Sequence, residues 1–320
     1  MSSSDHPADQ GAARFLLPYP ASDVRGMPDD LPVTVWDGAG GPPDPESLAT
    51  VEFLVIPYGC TDAALPVLAR APRLKVVQSL SAGVDDLAKY VPAGVTLCNA
   101  RGVHDTSTAE LAVALALASL RGIPDFVRGQ DVAEWRTGYR PALADRTVLL
   151  IGYGSIAAAI EDRLAPFECA FLRVAHTARS APRGPVHAVD ELPELLPHAD
   201  VVVLTVPLTD ETHGLVDARF LALMPDRSLL VNVSRGAVVD TDALLTELMA
   251  RRLHAALDVT DPEPLPPDHP LWRAPHTLIS PHVGGNSSAF LPRALRLIRA
   301  QILRHLAGEP LENIVPTRMA

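Results

Sequence analysis

The sequence predicts an α/β protein made of two doubly wound domains, and three observations predict it. Short β-branched apolar runs alternate with helical patterns along almost the whole chain. Most of these runs are continuously apolar rather than alternating, as suits parallel strands covered on both faces. A strand, a two-glycine turn and a helix follow one another over residues 147–164, near the middle of the chain. A lone nucleotide-binding domain would carry that turn close to its N-terminus, so another domain is expected to precede it.

In chain order, residues 33–36, 51–58, 74–78 and 95–98 read as strands of a first unit. An Ala-rich helix over 106–121 follows and bridges to a second series, with strands at 148–151, 171–175, 201–206, 228–233, 255–259 and 278–280. Helices are expected at Ser155–Leu164 and at 242–252. The last segment, 289–306, carries Leu291, Leu295, Ile298, Ile302 and Leu306 at helical spacing, and Gly308 and Pro310 end it. This helix is expected to return to the first domain. The expected layout is therefore one domain from 1–99 and 287–320, a second from 100–286, and a small substrate in a cleft between them. Residues 1–11 are polar and expected to be disordered.

Composition narrows the function. Hydrophobic residues make up 48% and charged residues 20% of the chain, which excludes a disordered protein. The net charge of −11 and the absence of a Lys/Arg run leave no footprint for nucleic acid. The longest apolar stretch, 111–120, is half the roughly 20 residues a bilayer requires, so no membrane partner is expected. The N-terminal segment has neither a basic region nor an apolar core of signal-peptide type. Cys60, Cys98 and Cys169 are isolated, so neither a disulfide framework nor a Cys-rich metal site is expected. A reducing cytoplasm is the default location.

The turn reads Gly152-Tyr153-Gly154-Ser155-Ile156-Ala157. Gly152 and Gly154 let the backbone turn tightly and approach a pyrophosphate. Ser155 and Ile156 open the helix whose N–H groups and dipole supply the positive end. Ala157 stands where a third glycine is common, and is small enough for the helix to meet the strand. An Asp or Glu about 20 residues further on would hold the ribose 2′-hydroxyl of NAD. The segment from Arg173 to Arg183 holds no acid. Arg179 could instead pair bidentately with a 2′-phosphate, and Thr177 or Ser180 could donate to it. NADP(H) is therefore favoured and NAD(H) remains possible. The alternative is that Arg179 and Arg183 are solvated loop charges.

Three more segments share the chain with this turn: Val231-Asn-Val-Ser-Arg-Gly-Ala-Val-Val-Asp240, Ala256-Leu-Asp-Val-Thr-Asp-Pro-Glu-Pro264 and Ser280-Pro-His-Val-Gly-Gly285. With the turn and Ser81-Ala-Gly-Val-Asp85, they make a sequence that resembles the D-isomer-specific 2-hydroxyacid dehydrogenase family from about Leu74 to Gly285. The resemblance implies a Rossmann dinucleotide-binding domain inserted into a flavodoxin-like substrate domain. It implies a small 2-oxo or 2-hydroxy acid as substrate, glyoxylate and hydroxypyruvate first, and a homodimer.

It also places the catalytic set on Arg235, Glu263 and His282. A guanidinium can hold the carboxylate of a 2-oxo acid and polarise its ketone, and an imidazole can protonate the alkoxide that hydride transfer makes. Glu263 would pair with that imidazole and raise its pKa. The related formate dehydrogenases carry Gln there, so the carboxylate favours keto-acid reduction. By the same resemblance, the N–H groups of Ala82 and Gly83 meet the substrate carboxylate. Thr108, Val206, Pro207, Val233, Ser234 and Gly284 line the cofactor, and Asp258 accepts from the nicotinamide carboxamide. Asp258 could equally cap a strand end. Phosphite oxidation on the same scaffold, or a dinucleotide-sensing corepressor, are the alternatives.

Overall fold

Short continuous apolar β-branched runs suit parallel strands covered on both faces, and a computed structural model places them in two sheets; it describes residues 14–316. The polar segment 1–11 lies outside the described residues. The chain divides into two units. One comprises the residues up to Val103 and from Ala289 onward, and the other comprises His104–Ser288.

The first unit holds a five-stranded parallel sheet: β1 (Phe15–Leu17), β2 (Val33–Val35), β3 (Phe53–Ile56), β4 (Val76–Ser79) and β5 (Thr96–Cys98). Its order is β2-β1-β3-β4-β5, the flavodoxin-like arrangement. Strand β1 escapes a sequence reading because three apolar residues ahead of a proline carry no period, yet all three are buried. Helix Phe290–Ala307 packs Ala294, Leu297, Ile298 and Ile302 against Phe15, Leu17, Phe53 and Val55. Buried Gln301 donates to Gln78 Oε1 at 2.6 Å and pins the helix to β4.

The second unit holds eight strands: β6 (Thr147–Ile151), β7 (Ala170–Ala175), β8 (Arg179–Ala181), β9 (Gly184–Ala188), β10 (Val201–Leu204), β11 (Leu229–Asn232), β12 (His254–Leu257) and β13 (Thr277–Ile279). They lie in the order β13-β12-β11-β10-β6-β7-β9-β8, parallel except for the β8–β9 hairpin. The hairpin is an addition to the sequence reading, because its polar strands show no apolar alternation. From β6 the chain winds first toward β7 and β9, then returns to β10 on the other side. The end of β6 is thus the switch point of the sheet, where ligands of such folds bind. Because the seven strands from β6 to β13 other than β8 are parallel, the residues that follow each of them emerge along one edge.

The Ala-rich helix Asp105–Arg121 uses its apolar surface inside this unit. Ala109, Ala112 and Ala116 share a core with Ala157. Small residues on both helices allow that close crossing, which is why alanine suffices at the third position of the turn. Among the described residues, no helix is long and apolar enough to cross a membrane.

Candidate active site

The glycine turn is shaped for a phosphate. Gly152 has φ +92°, and a β carbon there would lie 2.8 Å from the Val206 nitrogen and the Thr205 carbonyl carbon. Only glycine permits that approach. The Thr205 hydroxyl donates to the carbonyl oxygens of Ile151 and Gly152, at 3.1 and 3.0 Å, and holds β10 against the turn. At Gly154 a β carbon would meet only the Gly152 oxygen, 3.8 Å away, so the outer side of the turn is open. Helix Ser155–Leu164 begins there without a side-chain cap, leaving its first N–H groups for a ligand. Val206 and exposed Pro207 follow β10 along the same edge. These features fit a dinucleotide pyrophosphate.

Beyond β7, Thr177 and Arg179 are exposed, and Arg179 Nη2 donates to the Tyr153 carbonyl oxygen at 2.5 Å. Arg183 instead forms an ion pair with Asp162 of the neighbouring helix. The segment 173–183 therefore divides its arginines between structural pairing and the rim of the turn.

The end of β11 is built around buried Asn232. Its Oδ1 accepts from the Ser234 N–H and hydroxyl, at 3.0 and 2.7 Å, and its Nδ2 donates to the Arg235 carbonyl oxygen at 2.9 Å. Val233 and Ser234 are buried, with the Ser234 hydroxyl engaged by Asn232, while Arg235 is half-buried. Gly236 follows under a close approach of the β12 loop, which carries Glu263.

His282 and Glu263 meet. Nδ1 of the imidazole lies 2.6 Å from Glu263 Oε1, in a loop where the bonds before Pro262 and Pro264 are both cis. The hydrogen bond to Glu263 raises the His282 pKa above its usual value. Burial opposes that rise and the Glu263 charge adds to it. The same bond holds the Glu263 carboxyl below the usual carboxylate range. The Arg235 charge acts on both groups, lowering each pKa, so all three side chains share one neighbourhood.

His282 stands in the left-handed region at φ 52°, its N–H donating to the Asp258 carbonyl oxygen at 2.7 Å. The buried Asp258 carboxylate accepts from the Ser280 hydroxyl (2.6 Å), the Val283 N–H (2.9 Å) and the Gly284 N–H (2.8 Å). It caps the strand end and holds the His282 loop. Gly284 keeps the site compact, since a β carbon would lie 2.9 Å from Asp258 Oδ2 and 3.5 Å from Thr108.

In the first unit, Ala82 and Gly83 follow β4. The Ala82 carbonyl oxygen accepts from Asn99 Nδ2 at 3.0 Å, which fixes the loop from below. Thr205, Asn232 and Gly236 are additions to the residues read from sequence. Only Gly236, inside Ser-Arg-Gly, carried a local signal.

Residues 113–284 match the family described as D-isomer specific 2-hydroxyacid dehydrogenase, NAD binding domain. The human protein named glyoxylate reductase/hydroxypyruvate reductase is 34% identical over 260 residues, 77% of this chain and 78% of the relative. A D-isomer specific 2-hydroxyacid dehydrogenase from Xanthobacter autotrophicus, solved with NADPH and MES, superposes with a TM-score of 0.80 at 29% identity, covering 96% of this chain and 99% of its own. An NADPH-dependent glyoxylate/hydroxypyruvate reductase from Sinorhizobium meliloti, solved with NADP and sulfate, gives a TM-score of 0.80 at 26% identity, with 95% and 98% covered.

Proposed function

This chain belongs to the D-isomer specific 2-hydroxyacid dehydrogenase family of NAD(P)-dependent oxidoreductases, and on that premise we propose that it reduces a small 2-oxo acid, glyoxylate or hydroxypyruvate in type, with NADPH. The observation that carries the reading is the 2.6 Å contact between His282 Nδ1 and Glu263 Oε1, with Arg235 close enough to act on both.

When bound, the nicotinamide supplies the hydride that converts the C2 carbonyl to an alkoxide. Arg235 holds the substrate carboxylate with one edge of its guanidinium and draws electron density from the ketone oxygen. His282, protonated and held through Nδ1, gives its Nε2 proton to the C2 oxygen and completes the D-2-hydroxy acid. Glu263 keeps the ring oriented and stabilises the imidazolium before transfer. In the reverse direction neutral His282 takes that proton back.

The Arg179 guanidinium at the rim of the turn, with no carboxylate in the segment 173–183, supports NADPH over NADH. The two solved relatives, one with NADPH and one with NADP bound, support it further.

The test is a spectrophotometric panel of glyoxylate, hydroxypyruvate, pyruvate and phosphite with both cofactors. It should be run beside His282→Asn, since asparagine tolerates the left-handed backbone at this position. The variant is expected to bind nucleotide normally and to lose turnover by about two orders of magnitude or more. Retained turnover would remove His282 from the reaction.

A further inference from the structure

Three arginines converge on Tyr153, the residue between the two turn glycines, and each is used differently. Arg173 lies under the turn in a buried bidentate pair with Glu161, Nη2 to Oε1 at 2.5 Å and Nε to Oε2 at 2.8 Å. The Tyr153 hydroxyl donates to the same carboxylate at 2.7 Å, and the Arg173 guanidinium sits 5.8 Å from the tyrosine ring centre. Arg183 lies close enough to lower the Tyr153 pKa but is paired with Asp162. The Arg179 guanidinium donates to the Tyr153 carbonyl oxygen, and among the described residues it makes no ion pair.

A buried ion pair is poor evidence for stability, because the cost of removing both charges from water offsets their attraction. What it supplies is direction. Glycines on both sides make the main chain at Tyr153 permissive. Three bonds converging on Glu161 hold the tyrosine side chain, and the peptide that presents its carbonyl oxygen to Arg179 is held with it. The one uncompensated cation of the group thereby gains a fixed seat beside the phosphate-shaped turn.

We propose that Tyr153, Glu161 and Arg173 form a positioning network that seats the Arg179 guanidinium for the 2′-phosphate of NADPH, so that cofactor preference is set by the network together with Arg179; this rests on the NADPH reading above. Arg173 and Glu161 cancel each other's charge, so the buried carboxylate does not repel the phosphate. Arg179 supplies the attraction, and the network keeps it from dispersing among solvated rotamers.

Tyr153→Phe keeps the ring and removes only the hydroxyl. Titration calorimetry with NADPH, NADH and 2′,5′-ADP is the measurement, with melting temperature followed in parallel. Loss of one positioning hydrogen bond should weaken NADPH and 2′,5′-ADP about fivefold to tenfold and leave NADH within about twofold. Glu161→Gln should change the ratio in the same direction, and if its fold fails, Tyr153→Phe carries the test alone. Equal weakening of NADPH and NADH, or no change in their ratio, would overturn the network. Arg179→Ala separates the two levels of inference. Collapse of the NADPH preference there, with an unchanged ratio in Tyr153→Phe, sinks only the network. No change in Arg179→Ala sinks the NADPH reading itself.

Discussion

Gly236 lies so close to Thr260 that a β carbon on it would sit 1.9 Å from the Thr260 carbonyl oxygen and 2.1 Å from its carbonyl carbon. This approach joins the loop after β11, which presents Arg235, to the loop after β12, which presents Glu263. The partner atoms are backbone and cannot swing aside. Gly236→Ala is therefore expected to cost about 1–3 kcal/mol through overpacking. It should separate the two loops and depress kcat more than nucleotide affinity. A thermal melt and steady-state kinetics check this, and an unaltered variant would contradict the packing.

The pairing of His282 with Glu263 sets the pH dependence of reduction. The proton donor is the charged imidazole, present below its pKa and lost as pH rises through it. Because the hydrogen bond to Glu263 is the main cause raising that pKa, Glu263→Gln should move the alkaline limb of kcat/KM to lower pH, toward the ordinary histidine value. The variant should lose most near pH 8 and least near pH 6. A limb that stays where it was would show that Glu263 does not govern the imidazole.

A pair of histidines lies at the opposite end of these strands, His254 opening β12 and His276 just before β13. The rings of His254 and His276 stack with centroids 4.4 Å apart and planes 6° from parallel. Burial, with the charges of His276 and Arg227, lowers the His254 pKa from 6.5 to about 4. Burial likewise lowers His276; Arg251, Arg140 and Arg227 add to this and Asp125 opposes it. The unfolded chain therefore binds more protons than the folded one between about pH 6.5 and about 4. Stability from His254 is full above that window and falls as pH drops through it. Urea unfolding from pH 7 to 4.5 should show the loss, and His254→Gln should flatten it. An equally steep variant would place the acid sensitivity elsewhere.

Residues 123–139 expose Ile123, Phe126, Val127, Val132, Trp135 and Tyr139, with Trp135 94% and Tyr139 92% accessible. So much apolar surface in one stretch is unusual for a soluble monomer. A second copy of the chain is the expected cover. The helix before this stretch spends its own apolar face inside the unit, which leaves this segment as the expected dimer surface. Analytical ultracentrifugation should find a dimer at micromolar concentration, and Phe126→Asp with Val127→Asp should shift it to monomer. A monomeric parent protein would refute the assignment.

Much of the fold and site was legible along the chain because its signals are local. The turn at Gly152 and Gly154 needs only a strand before and a helix after, and both are written in adjacent residues. Arg235, Glu263 and His282 each stand in a short distinctive segment close behind a strand, and the family resemblance of those segments is what singled them out. The β8–β9 hairpin was not legible, since its polar strands draw on pairing rather than pattern. Nor were the Thr205 clamp, the Asn232 bonds or the buried Arg173–Glu161 pair, since nothing in an isolated Thr, Asn, Arg or Glu reports its distant partner.

By itself the sequence determined most of the strand segments, the place of the glycine turn and which side chains are candidates for acid–base or carboxylate-binding chemistry. Periodicity and glycine placement depend on neighbours a few residues away. Tertiary structure alone decided that His282 turns its Nδ1 to Glu263, that Asp258 serves the loop holding His282, and that Arg179, of the three arginines near Tyr153, makes no ion pair among the described residues. Each of these depends on which strands lie side by side. That order is set by the winding of the whole sheet from β6, which brings residues dozens of positions apart to one edge.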